Sequence, residues 1–111
     1  MIKHGTANIT AFRLTPGRAQ ELIRAAAQKS STVIISEHAK TQMKAREIDS
    51  HDVFRILRGG MVTDAPEKTQ DGEWKCKVVM RIKGNRDVGV VTIILTDNSL
   101  FVKTVMWEDL S

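Results

Sequence analysis

The chain has 111 residues, 41% hydrophobic and 27% charged, usual for one globular domain and unlike a disordered tail, a collagen repeat or a low-complexity linker. Seventeen lysines and arginines against 13 acids give a net charge of +4, which permits an anionic partner without requiring one. The lone cysteine forms no internal disulfide, three histidines offer no zinc spacing, no apolar run nears the roughly 20 residues of a membrane helix, and Met1-Ile2-Lys3-His4-Gly5 is no export signal, so the expected setting is the cytoplasm.

Residues 1–111 read as a single domain, with 1–14 an irregular N-terminal segment that contains His4. Thr15-Pro16 is a helix N-cap followed by proline at the first helical position. Ala19, Leu22, Ile23, Ala26 and Ala27 then recur at helical spacing, predicting a helix over Pro16–Lys29 that Ser30-Ser31 closes. Thr32-Val33-Ile34-Ile35 is a short apolar approach to Ser36, which caps a second helix running to about Glu47 with Ala39 and Met43 inward. Asp49 caps a third helix, with Ile48 and Val53 at hydrophobic-staple spacing; Val53, Ile56 and Leu57 form its buried stripe and Gly59-Gly60 ends it.

The period then changes. Residues 61–64 suit a short strand and Pro66–Gly72 a loop. From Glu73 to Lys83 the chain alternates: Trp74, Cys76, Val78, Met80 and Ile82 on one parity, Lys75, Lys77, Arg81 and Lys83 on the other. Gly84-Asn85 turns a hairpin. Asp87–Thr96, nearly all apolar, predicts a central strand covered on both faces, and Leu100–Trp107 the last strand. The expected fold is α+β, with N-terminal helices packed on an antiparallel sheet of three to four strands.

Two patterns bear on function. Lys75, Lys77, Arg81, Lys83 and Arg86 outnumber one acid, Glu73, between residues 73 and 86. A line of cations on a sheet face attracts phosphates; it also suits a solvated strand protected from edge pairing, and on charge alone solvation leads. His38, Gln42 and Arg46 stand at i, i+4 and i+8 on the second helix. A histidine moves protons near neutral pH and an arginine holds phosphate, the parts of a metal-independent ribonuclease. Their plainer roles are a locally bonded histidine and an arginine paired with Glu47 or Asp49. Cys76 has the parity of a core thiol, Trp74 and Trp107 suit core or base stacking, His51 suits an exposed first helical turn, and the five methionines suit core filling. The carboxylates show no metal-ligand spacing, and no cofactor is expected.

Ser36-Glu37-His38-Ala39, then Met43, Arg46 and Ile48, Asp52-Val53, Trp74-Lys75-Cys76-Lys77-Val78 and Thr104-Val105-Met106-Trp107 together resemble the bacterial family known as domain of unknown function 4258. Gln42 departs from it, standing where the family pattern commonly has arginine. The family is similar to RelE/barnase-like toxin ribonucleases. That resemblance implies RNA cleavage by 2′-hydroxyl attack on phosphate, with His38 moving the proton, Arg46 and Arg81 on the phosphate, Lys75, Lys77, Lys83 and Arg86 gripping RNA, and an antitoxin encoded nearby as partner. The alternatives are a non-catalytic RNA- or protein-binding module using the basic sheet face, and a small structural or regulatory protein.

Overall fold

The computed structural model describes residues 13–110 apart from position 83. Residues 1–12, with His4, and Lys83 lie outside the described residues. In chain order the elements are α1 (Pro16–Ala26), β1 (Val33–Ile35), α2 (Glu37–Arg46), α3 (Ser50–Gly59), β2 (Glu67–Lys68), β3 (Trp74–Arg81), β4 (Asp87–Ile94) and β5 (Leu100–Trp107). Short 3₁₀ turns occupy Ser30–Thr32 and Glu108–Leu110.

Each helix starts where its orphan N–H groups find an acceptor. The side chain of Thr15 accepts from Arg18 N–H ahead of α1, and that of Ser36 from Ala39 N–H ahead of α2. Asp49 and Asp52 form a reciprocal capping box on α3. One such cap contributes about 0.5–2 kcal/mol. The α2 helix closes on Glu47, held at φ 56°. The end of α3 lies directly on β3: a Cβ at Gly60 would sit 2.7 Å from both Ile56 O and Val78 Cγ1 and 2.9 Å from Val79 O. Only glycine lets the helix end approach the strand this closely.

The strands form one sheet in the order β1-β5-β4-β3-β2. It has five strands rather than three or four, and it is mixed, because β1 runs parallel to β5 while the other pairs are antiparallel. The added strands are three and two residues long, too short to show a period of two. The strand expected over 61–64 reduces to one bridge between Met61 and Val79, and β2 lies inside the segment expected as a loop. A bulge between Val91 and Thr92 leaves Lys103 without a partner on β4; next to it the Thr92 hydroxyl, fully buried, donates to Phe101 C=O at 3.2 Å.

Alternation places Cys76, Val78, Val88, Val90, Ile94, Leu100, Val102 and Val105 on one face, all buried under the helices with Ile23, Met43, Val53, Ile56 and Leu57. The expectation that β4 is covered on both faces is corrected: Val91 and Ile93 on its other parity are half-exposed, because the helices all supply side chains to the first face. Met61, expected in the core, is 58% exposed. Among the described residues no helix is long and apolar enough to cross a membrane.

Candidate functional site

The i, i+4, i+8 face of α2 lies along the outer edge of β5. β1 covers that edge only from Leu100 to Val102, so the backbone beyond needs other partners. Val105 N–H donates to Gln42 Oε1 at 2.9 Å, and Arg46 Nη1 donates to Val105 C=O at 2.6 Å. Trp107 Nε1–H donates to the carbonyl of Arg46 at 3.2 Å. Gln42 and Arg46 thus replace a missing strand. His38, one turn earlier, is exposed. The Arg46 guanidinium holds backbone, the Val105 carbonyl.

The cations of β3 occupy the sheet face away from the helices, each matched by an acid from another part of the chain. Lys75 pairs with Glu67 at 3.5 Å, Lys77 with Glu108 at 2.8 Å and Arg81 with Asp87 at 3.1 Å. Arg86 pairs with Asp109 through two nitrogens, at 3.1 and 3.0 Å, and lies 3.9 Å over the Trp107 ring. The hydrogen bond to Asp109 raises Arg86 above the usual arginine range and lowers Asp109 below the usual carboxylate range. The Lys77–Glu108 pair rests on Gly89, where any Cβ would collide with the Glu108 carboxylate. Four cations therefore face four acids. Of the three residues expected to act together, Arg46 is bonded to Val105 C=O and Arg81 to Asp87, while His38 stands exposed on α2.

A second group of basic side chains lies on α3. His51, Arg55 and Arg58, at i, i+4 and i+7, line a pocket of about 320 Å³ with Gly59 and Met80, and no carboxylate lines it. Arg58 is fixed from both sides: its Nε donates to Ala27 C=O at 2.7 Å, and its guanidinium lies 5.2 Å over the Phe54 ring. That bond uses Nε and leaves the two terminal nitrogens for a ligand. Arg55 is exposed and forms no ion pair with a described residue. Ligand atoms of Asp49, His51 and Asp52 all lie within 4.8 Å of one another. The two carboxylates serve the capping box, and they also stand beside the imidazole. An imidazole flanked by carboxylates, with two arginines a turn or two away, can move a proton beside a held phosphate. The sequence carries this signal: the helical spacing that groups His38, Gln42 and Arg46 applies equally to His51, Arg55 and Arg58.

Residues 35–107 match the family model described as domain of unknown function (DUF4258). No curated protein and no solved structure matches the chain.

Proposed function

Since the chain belongs to the DUF4258 family, whose description assigns no activity, we propose a function from the geometry: the domain binds RNA at the α3 pocket and cleaves it there. The observation that carries this reading is the joint lining of one pocket by His51, Arg55 and Arg58. In the proposed step the 2′-hydroxyl oxygen attacks the adjacent phosphorus and His51 takes the hydroxyl proton. The P–O5′ bond breaks, and the leaving oxygen takes a proton from water, giving a cyclic phosphate and a 5′-hydroxyl end. Arg55 and Arg58 balance the charge on the non-bridging oxygens. Asp49 and Asp52 stand beside the imidazole. Kinship with RelE/barnase-like toxins, a cytoplasmic setting and a nearby antitoxin belong to the same proposal.

The test is cleavage of a mixed-sequence RNA in EDTA by the wild type and single variants. His51→Ala lowers the rate by about 10²–10⁴-fold, the usual contribution of one general acid–base group, while His38→Ala leaves it within a few-fold of wild type. Full activity of His51→Ala would falsify the assignment, and loss confined to His38→Ala would return the site to α2. RNA binding without cleavage by the wild type would reduce the reading to a binding module.

A further inference from the structure

We propose that the sheet face away from the helices is a contact surface between two copies of this chain. The strand registers place Ile34, Phe101, Ile93 and Lys75 in one row across β1, β5, β4 and β3, and Met106, Gly89, Val79 and Met61 in another. Among the described residues, the large hydrophobic side chains that stand exposed are Ile34 at 50% and Met61 at 58%. They lie at opposite margins of this one face, with half-exposed Phe101, Ile93, Val91 and Met106 between them. These apolar side chains form a band interrupted by the Lys77–Glu108 pair over Gly89, and an exposed apolar band on a small domain suits a contact surface.

Area and charge single out a second copy as the occupant. The three eight-residue strands β3, β4 and β5, at roughly 3.3 Å per residue and about 4.8 Å apart, with three-residue β1 beside them, give a face of roughly 430 Å². Two such faces remove about 850 Å² from water, the size of a weak, concentration-dependent contact. A chain of net charge +4 meets itself most easily where its charge cancels. Lys75–Glu67, Lys77–Glu108 and Arg81–Asp87 leave this face neutral, so two copies approach without net repulsion. The same neutrality gives a polyanion nothing to bind. Twisted sheets pack face to face about 10 Å apart with their strands nearly aligned, an arrangement in which β5 of one copy meets β5 or β4 of the other.

Sedimentation equilibrium of the full chain over micromolar to hundreds of micromolar concentrations tests the proposal. The wild type shifts from 12.4 kDa to twice that mass. Phe101→Lys weakens the association at least tenfold, and Lys44→Ala on the exposed side of α2 leaves it unchanged. If Phe101→Lys loses the native circular dichroism spectrum, Thr104→Arg, a polar position on the same face, supplies the same reading. A wild type that stays monomeric throughout, or a dimer indifferent to the face variants, overturns the proposal.

Discussion

Glutamine at position 42 illustrates how one side chain decides what its neighbours are free to do. Val105 N–H needs an acceptor, and glutamine supplies it at 2.9 Å; arginine, the commoner residue of the resembled family pattern, carries no acceptor atom. Gln42→Arg therefore leaves a backbone donor unsatisfied and costs about 1–3 kcal/mol, read as a lower urea midpoint with unchanged slope. Cys76 reports on the opposite face of the same logic. Burial pushes its thiol up from 9.0 to about 11, since a thiolate is poorly solvated in the core. Native protein at neutral pH should react slowly with thiol reagents, and rapid labelling contradicts the strand parity. The folded state holds its thiol proton longer than the unfolded state. Stability from this group is thus complete below pH 9 and declines as pH rises from about 9 to about 11, and Cys76→Ala flattens that decline in denaturant titrations.

At the level of elements, what was legible in the sequence followed from local physics. Thr15, Ser36 and Asp49 announce their helices because capping acts within three residues, and the parity of Cys76 and Val78 announces the buried face of β3 because a strand repeats every two. Lys75, Lys77 and Arg81 read as free cations for the same reason: Glu67, Glu108 and Asp87, which neutralise them, come from β2, the C-terminal turn and β4, and only the registers bring them together. Gly60 read as a helix stop; that β3 lies beneath it is a tertiary fact. Gly60→Ala forces helix and strand apart and costs about 1–3 kcal/mol, whereas Gly59→Ala, whose Cβ would stand 3.6 Å from Met80 Cε, is nearly neutral in thermal unfolding. Equal losses in the two variants contradict the close approach.

Over the whole molecule, positive charge is divided between a neutralised sheet face and an open pocket on α3. If the α3 pocket binds RNA as proposed, affinity depends on few charges. Two or three phosphate contacts imply a log–log salt slope of roughly −1.5 to −2 on single strands. Arg55→Ala lowers that slope by about 0.7, and Lys75→Ala leaves it unaltered. A slope steeper than about −3 in binding titrations places the β3 cations in the contact after all.

The parallel pairing of β1 with β5 has a kinetic consequence. Val33 meets Leu100, 67 positions later, so β1 waits for nearly the last strand before its hydrogen bonds have a partner. Closing so long a segment precedes any reward from the pairing, and synthesis from the N-terminus exposes Val33-Ile34-Ile35 as an unpaired apolar edge until β5 is complete. Chains halted before Leu100 should therefore aggregate or recruit chaperones, and refolding should slow when β5 is weakened far more than when the β3–β4 hairpin is. Stopped-flow refolding of Val102→Ala beside Val78→Ala measures that difference directly.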